Sequence, residues 1–308
     1  MGQIVVAMGG NALVEAGRGS IDDQRRRIRR TAPKIAGLAS GGYEPILTHG
    51  NGPQVGGLLL QNEESGSVET KSLDVLVAES QAQIGYLLQG ALGRALGEPL
   101  ATVVTRTRVD PDDPAFGEPT KRIGPFYDES AAAEKPFPVA EDTDEEGQVG
   151  YRRVVPSPAP LEILEIDHVR TLAEAGRPVV CAGGGGIPVV KRGDEFVGRE
   201  AVVDKDHTSR LLAADLGVDD LLFLTDVDAA YRNFGTEAQQ RLDRITAEEA
   251  AELLESGEFG EGSMAPKVAA AVDFLEAGGE RAIVTSVDAV VEAVDGEAGT
   301  TIVPSGDG

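Results

Sequence analysis

Short β-branched runs alternate with longer helical patterns along most of this 308-residue chain. Continuously apolar runs indicate strands covered on both faces, and their alternation with helices is typical of βαβ units with a mainly parallel sheet. The predicted strands are residues 3–8, 44–49, 101–106, 178–183, 220–227 and 281–286. The predicted helices are residues 20–40, 72–96, 160–175, 205–216, 246–256 and 264–278. We therefore expect an α/β fold: an open three-layer α/β/α sandwich with a mainly parallel central sheet.

The alternation of strands and helices breaks between residues 108 and 156, where Pro, Asp and Glu dominate. A disordered linker would explain that composition. Aromatic residues and alternating patterns in 124–127, 136–140 and 149–156 instead favour a small inserted, protruding β-rich subdomain, which we place at residues 111–155. Its position between two core strands and its Pro-rich flanks suggest a lid that closes over a substrate.

The charge balance is strongly acidic, with 52 Asp and Glu against 28 Lys and Arg and a formal net charge of −24. Such a surface repels nucleic acid and anionic membranes, so we expect neither as a partner. A hydrophobic content of 41% is too high for a disordered acidic protein. We interpret the acidic surface as halophilic adaptation, with an ordinary acidic mesophilic protein as the alternative. The basic cluster at residues 22–30 lies on a predicted amphipathic helix and indicates a solvated or interface face.

The single cysteine, Cys181, excludes a disulfide within the chain and indicates a reducing compartment. The apolar segment at the start of the sequence has no positive charge before it, as a signal peptide would have. No stretch approaches the 18 or so apolar residues of a membrane-spanning helix. We therefore expect a cytoplasmic protein.

Glycine-rich loops follow three of the predicted strands. In an open parallel sheet the carboxyl ends of the strands form the ligand crevice, where glycine lets backbone N–H groups approach an anion. One such loop alone is more often a tight turn, but three at one edge indicate a polyanionic ligand. The Walker and dinucleotide-binding patterns are both missing. The loops are Gly9-Gly10-Asn11, Gly50-Asn51-Gly52 and Gly183–Gly186.

Lysine is rare, with seven residues in the whole chain, so each lysine near the loops is a candidate partner for phosphate. Lys205 begins a predicted helix and is followed by Asp206, while Lys267 opens another helix just after Pro266. Both ammonium groups could face the crevice with a helix N-terminus behind them. The alternative, two solvated surface lysines, fits poorly with a chain so depleted of lysine.

Eight segments resemble, in order and across nearly the whole chain, the motif series of the carbamate kinases within the amino-acid kinase superfamily. Two of the motifs, GGNA and TDV, recur throughout the superfamily, whereas GNGPQVG, IGPF in an insertion and RRVVPSP are more particular to carbamate kinases. The segments are VVAMGGNAL (5–13), THGNGPQVG (48–56), PTKRIGPFY (119–127), RRVVPSPAP (152–160), AGGGGIPV (182–189), EAVVDKDHTSRLLA (200–213), LTDVDAAY (224–231) and GSMAPKV (262–268).

The resemblance implies a homodimeric kinase of arginine metabolism that transfers a phosphoryl group reversibly between ATP and carbamate, giving ADP and carbamoyl phosphate. Mg²⁺ would enter with ATP or ADP, without a metal site of the protein's own. Residues 1–308 would form one amino-acid kinase domain, with the substrate side mainly in 1–200 and the nucleotide side mainly in 200–308.

The family motifs also imply roles for single residues. The catalytic residues would be Lys205, Lys267, Asp206, which orients these lysines, and Lys121, which reaches the small substrate from the insertion. The transferring group and the carbamoyl moiety would be held by Gly9, Gly10, Asn11, Gly50, Asn51 and Lys121. The nucleotide would contact Gly9, Gly10, Gly184, Gly185, Lys205, Thr225, Asp226, Tyr231, Met264 and Lys267.

Two positions depart from the family pattern: Arg122 replaces the usual proline after the lysine, and Tyr151 stands where the aromatic residue is often Trp. The alternatives are another small-acid kinase of the superfamily, an enzyme of the same fold that supplies carbamoyl phosphate, or a non-catalytic nucleotide-binding protein. The insertion with Lys121 favours a carbamate kinase. The presence of all four catalytic candidates argues against the last alternative.

Overall fold

The computed structural model describes residues 2–13, 20–143, 148–260 and 264–306. The helices, in chain order, are α1 (Ile21–Ser40), α2 (Gly52–Glu64), α3 (Leu73–Leu96), α4 (Glu129–Ala133), α5 (Ile166–Glu174), α6 (Lys205–Leu216), α7 (Ala247–Glu255), α8 (Met264–Glu276) and α9 (Val290–Val294). The strands are β1 (Gly2–Met8), β2 (Tyr43–His49), β3 (Ala101–Thr102), β4 (Arg106–Val109), β5 (Lys121–Tyr127), β6 (Val139–Thr143), β7 (Val149–Val155), β8 (Pro160–Ile163), β9 (Val179–Val180), β10 (Ile187–Arg192), β11 (Glu195–Gly198), β12 (Asp220–Thr225), β13 (Ala230–Arg232), β14 (Gln240–Leu242), β15 (Arg244–Thr246), β16 (Arg281–Ser286) and β17 (Thr300–Val303).

The main sheet runs in the order β15-β17-β16-β12-β1-β2-β9-β3. Its neighbouring strands are parallel except for β16 and β17, which are antiparallel. Side chains alternate across β1: Val5 and Ala7 belong to a hydrophobic cluster with α6, α7 and α8, whereas Ile4, Val6 and Met8 belong to one with α1, α3 and α9. Helices therefore cover both faces of the sheet, and the predicted α/β/α sandwich is confirmed.

The predicted strand over residues 101–106 is divided between two sheets. β3 joins the main sheet, while β4 joins a second sheet in the order β11-β10-β4-β8. Between them the backbone of the buried Thr105 pairs with the side chain of Gln81. The Thr105 N–H donates to Gln81 Oε1 at 2.8 Å, and the Thr105 carbonyl accepts from Gln81 Nε2 at 3.0 Å. A buried backbone group needs such a partner, and Gln81 allows the chain to leave the main sheet here.

The predicted helix over residues 160–175 is wrong in its first part. Residues Pro160–Ile163 form β8, which pairs antiparallel with β4, and the helix begins only at Ile166. The predicted strand at 178–183 is also shorter, because β9 ends at Val180 and a 3₁₀ turn covers Gly183–Gly185.

Residues 121–155 contain a three-stranded antiparallel sheet in the order β5-β7-β6, so this segment is not a structureless linker over its described part. Its residue Ile123 is fully buried against Val55 and Leu76 of α2 and α3. Gly56 of α2 and Gly124 of β5 meet so closely that a Cβ at Gly56 would lie 2.2 Å from the Gly124 Cα. The β5-β7-β6 sheet is therefore packed directly on the core, and its action as a lid stays a prediction.

Along the described ranges, no helix is both long and apolar enough to cross a membrane.

Candidate active site

The three glycine loops meet at one edge of the main sheet because β1, β2 and β9 are parallel neighbours. The N–H of Gly50 donates to the Met8 carbonyl at 3.1 Å. A Cβ at Gly183 would lie 2.4 Å from Nε2 of His49, the last residue of β2, so the third loop packs directly beside the start of the second. The structure thus brings the loops together at the carboxyl ends of the strands.

The first loop combines a tightly packed glycine with an open one. Gly9 donates its N–H to the Leu224 carbonyl at 3.1 Å, and a Cβ at this position would lie 2.7 Å from that oxygen. A Cβ at Gly10, in contrast, would meet none of the described atoms of non-adjacent residues within 4 Å. Gly9 therefore joins the first loop to β12, while the described residues leave space beside Gly10. The backbone of Asn11 belongs to the described part of the chain, and its side chain lies outside it.

Two lysines share one buried carboxylate beside these loops. Lys205 begins α6 and places its Nζ 2.5 Å from Asp206 Oδ1, while Lys267 of α8 places its Nζ 3.4 Å from Asp206 Oδ2. Asp206 is 4% exposed and Lys267 is 5% exposed. Lys205 also packs on the second loop, since a Cβ at Gly50 would lie 3.2 Å from its Cδ. We call Lys205, Asp206 and Lys267 the lysine centre.

The lysine centre is costly to bury. Removing an ion from water costs several kcal/mol even after relaxation, and formation of an ion pair offsets only part of this cost. Burial lowers the pKa of Lys267, and the neighbouring Lys205 lowers it further, whereas Asp206 and Asp204 act in the opposite direction. Perturbed, buried charges of this kind cluster at functional sites. The arrangement therefore suits binding of an anion that would add negative charge beside the two ammonium groups.

Lys121 lies next to the lysine centre because it pairs with Asp204, a residue that the sequence analysis did not single out. Its Nζ is 2.5 Å from Asp204 Oδ2, and Asp204 caps α6 by accepting the N–H of Asp206 at 2.8 Å. Burial opposes ionisation of Asp204, but Lys121 and Lys205 more than offset this and hold its pKa well below the usual range. An aspartate before a predicted helix signals an N-cap. Its contact with Lys121, 83 residues away, has no local signal.

Asn51 is held from two sides. Its Nδ2 donates to Ser80 Oγ at 2.8 Å, and a Cβ at Gly184 would lie 2.2 Å from the same nitrogen. Gly184 and Gly185 are both buried, and the Gly185 carbonyl accepts hydroxyl hydrogen bonds from Thr107 at 2.8 Å and Thr208 at 3.1 Å. The third loop therefore packs against Asn51 and bonds to the first turn of α6. Contact of Gly184 and Gly185 with a nucleotide stays a prediction.

The other four predicted nucleotide residues belong to or directly follow β12, β13 and α8. Thr225 ends β12 and Asp226 follows it, next to the first glycine loop. The Tyr231 hydroxyl donates to Asp228 Oδ1 at 2.7 Å, and Met264 begins α8 one turn before Lys267. Two residues of the GSMAPKV motif, 262 and 263, lie outside the described residues. Among the residues that are described, no group of three His, Cys, Asp or Glu side chains could hold a metal ion.

His49 lies beneath the second loop, 1% exposed, where its Nδ1–H donates to the Gly50 carbonyl at 2.9 Å. Burial lowers its pKa from 6.5 to about 4, although the bond to Gly50 acts in the opposite direction. The unfolded chain therefore binds a proton at a higher pH than the folded protein. The His49 contribution to stability is complete above pH 6.5 or so and is lost as the pH falls towards about 4.

We expect the free energy of unfolding to fall by about 2 kcal/mol through His49 alone when the pH drops from about 7 to about 5. Urea unfolding of the wild type and of His49→Asn at both pH values measures this, because the two proteins carry the same carboxylates and differ only at residue 49. The variant should show the smaller pH dependence. An equal pH dependence in both proteins would mean that His49 is protonated normally in the folded state.

The sequence model of the amino acid kinase family matches residues 2–286 of the chain. The carbamate kinase of Halobacterium salinarum is 61% identical over 305 residues, which cover 99% of each protein. Among solved structures, the carbamate kinase of Giardia lamblia bound to citric acid is 40% identical with a TM-score of 0.92, and the alignment covers 99% of both chains. The same Giardia lamblia enzyme bound to AMP-PNP gives a TM-score of 0.88 at 40% identity, again over 99% of both chains.

These similarities extend over the whole chain and include the segments that form the glycine loops and the lysine centre. The resemblance drawn from the sequence motifs is therefore confirmed, as is the assignment as a kinase. The chain belongs to the amino acid kinase family and, within it, to the carbamate kinases.

Proposed function

We propose that the lysine centre, together with the glycine loops and Lys121, transfers a phosphoryl group reversibly between ATP and carbamate. The observation that supports this assignment most strongly is that Lys205 and Lys267 occupy the two oxygens of the buried Asp206 at the edge where the loops converge. The AMP-PNP complex of the Giardia lamblia relative adds support for a nucleoside triphosphate as one substrate.

The reaction needs alignment and charge stabilisation more than covalent help from the protein. A carbamate oxygen, already an anion, attacks the γ-phosphorus of ATP and forms a new P–O bond. The bond between this phosphorus and the β–γ bridging oxygen breaks, and ADP leaves with both electrons. Because the nucleophile carries no proton on the attacking oxygen, a general base is not required. His49, which burial keeps neutral, has no proton to take up in this reaction.

Each group of residues has a separate task in this proposal. Lys205 and Lys267 neutralise the charge that spreads over the equatorial oxygens, and Asp206 fixes the direction of both ammonium groups. The backbone N–H group of Gly10 and the Asn51 amide, beside the Gly50 backbone whose own N–H is bonded to Met8, hold the transferring group, and Lys121 contacts the small substrate. The nucleotide would lie towards Thr225, Asp226, Tyr231 and Met264, with its phosphates near the lysine centre.

Mg²⁺ is proposed as part of the substrate, entering as the complex with ATP or ADP. A homodimer, a cytoplasmic location, halophilic adaptation and a role in arginine metabolism also remain proposals. They rest on the sequence, through its motif series, its formal charge of −24 and its single cysteine. The β5-β7-β6 sheet, which contributes Lys121 and packs on α2, is proposed to close over the substrate.

The test is ATP formation from ADP, Mg²⁺ and carbamoyl phosphate in molar KCl, with acetyl phosphate as the control donor. Turnover with carbamoyl phosphate and not with acetyl phosphate is the expected result. If a folded protein used acetyl phosphate equally well, the acceptor would be a different small acid. If it bound ATP but used neither donor, the proposed reaction would be wrong.

A further inference from the structure

Asp204, the residue before α6, has a carboxylate that is fixed at both oxygens. Oδ1 accepts the N–H of Asp206 at 2.8 Å, and Oδ2 accepts the Lys121 ammonium group at 2.5 Å. The Asp204 carbonyl also accepts the N–H of Thr208 at 3.1 Å and its hydroxyl at 3.0 Å. Asp204 is therefore anchored to the first turn of α6, the helix that begins with Lys205.

Lys121 is fixed in its backbone but needs a partner for its long side chain. It begins β5, where it is paired with Val155 of β7, and Ile123, two residues later, is fully buried in the core. Its side chain is 35% exposed and ends in the ion pair with Asp204. A lysine side chain has many rotamers, so a partly exposed ammonium group does not stay at one point without a fixed acceptor.

The two aspartates on either side of Lys205 divide the three lysines between them. Asp206 pairs with Lys205 and Lys267, whereas Asp204 pairs with Lys121. Three ammonium groups and two carboxylates leave a formal charge of +1, so the like charges of the lysines are largely compensated before any substrate binds. Because both carboxylates lie at the start of one helix, they set all three ammonium groups relative to the same element.

We propose that Asp204 is a positioning residue that acts through Lys121: it holds the ammonium group from the β5-β7-β6 sheet beside the lysine centre, where the small substrate binds. This inference rests on the proposed function. The opposite role, in which Asp204 competes with the substrate anion for Lys121, requires the two to part easily. The anchoring of Asp204 at both oxygens and at its carbonyl favours positioning instead.

The variant Asp204→Asn separates positioning from helix capping. Asn caps helices about as well as Asp, so α6 should form normally, while the charge that holds Lys121 is lost. We expect kcat/KM for carbamoyl phosphate to fall on the order of 10 to 10² fold, since small misplacements of a reacting group can have effects of this size. The KM for ADP should stay within about twofold, because the lysine centre keeps Asp206.

A double-mutant cycle with Lys121→Met tests whether Asp204 acts through Lys121. The effect of Asp204→Asn should largely disappear in the Lys121→Met background. The matched control is Asp128→Asn, which changes the N-cap aspartate of α4, outside the candidate site, in the same way and should leave kcat/KM unchanged. Thermal unfolding checks that each variant is folded, and Asp204→Ser, which also caps a helix, replaces Asp204→Asn if the latter fails to fold.

Three outcomes would overturn the proposal: wild-type kcat/KM in Asp204→Asn, an undiminished loss in the Lys121→Met background, or a lower KM for carbamoyl phosphate with unchanged kcat. The last would show competition for Lys121. Lack of carbamoyl-phosphate-dependent ATP formation by the wild type would instead contradict the proposed function itself, so the two failures are distinguishable.

Discussion

Replacing Lys267 by Ala is expected to lower turnover of the carbamoyl phosphate reaction by roughly 10² to 10³ fold. Lys267 is 5% exposed and its ammonium group is held 3.4 Å from Asp206 Oδ2, so it is already in place when charge develops on the transferring phosphoryl group. Removing one such preorganised donor in other enzymes costs roughly 2.7–4 kcal/mol of transition-state stabilisation. Steady-state ATP formation at saturating ADP measures the loss.

The control for this variant is Lys191→Ala, which removes an exposed lysine from β10, away from the lysine centre. It should keep wild-type turnover. Because Asp206 retains Lys205 as its ion partner in Lys267→Ala, the buried carboxylate is not left alone and the variant should fold. Near-normal turnover in folded Lys267→Ala would mean that the lysine centre does not take part in the reaction.

Replacing Gly56 by Ala is expected to lower turnover on the order of 10² fold and to reduce the free energy of unfolding by about 1–3 kcal/mol. A Cβ at Gly56 would lie 2.2 Å from the Gly124 Cα and 2.3 Å from its nitrogen. Both are backbone atoms, so no side chain can rotate away and β5 itself must shift. Lys121 lies three residues earlier on the same strand and would leave the lysine centre with it.

Gly57→Ala is the matched control, because it makes the same change one residue later in α2, where a Cβ would meet, outside the helix's own backbone, no atom of the described residues within 4 Å. Alanine is the better helix former, so this variant should be as stable as the wild type or more stable by about 0.5–1 kcal/mol. Urea unfolding and ATP formation are measured on both variants. Equal behaviour of Gly56→Ala and Gly57→Ala would mean that the contact with Gly124 does not position β5.

The sequence pattern predicted those parts of the fold whose residues carry a local signal. The helix over 205–216 and the strand over 281–286 were predicted with the bounds that the structure has. The glycine loops were expected at one edge because parallel strands present their carboxyl ends together, and β1, β2 and β9 confirm this expectation. Lys205 and Lys267 were singled out by their position at helix starts, and the structure places both on Asp206.

The remaining features depend on contacts between distant residues. Helix α2 was not predicted, because the glycines and proline of its first turns resemble a loop, yet its close contact with Gly124 requires Gly56. The chain leaves the main sheet at Thr105 because Gln81 takes the place of a strand partner. Asp204 was overlooked because only the fold shows that Lys121 is its partner. Such tertiary pairings have no periodicity that a single sequence could reveal.

The most direct measurement is the single-turnover rate of phosphoryl transfer from carbamoyl phosphate to bound ADP, by rapid quenching, in the wild type and Lys267→Ala. The lysine centre should act mainly in the transition state, so the transfer rate should fall roughly 10² fold or more, with the ADP dissociation constant changed by less than about tenfold. A transfer step at the wild-type rate, with weaker ADP binding alone, would contradict the proposal that Lys205, Asp206 and Lys267 form the catalytic centre.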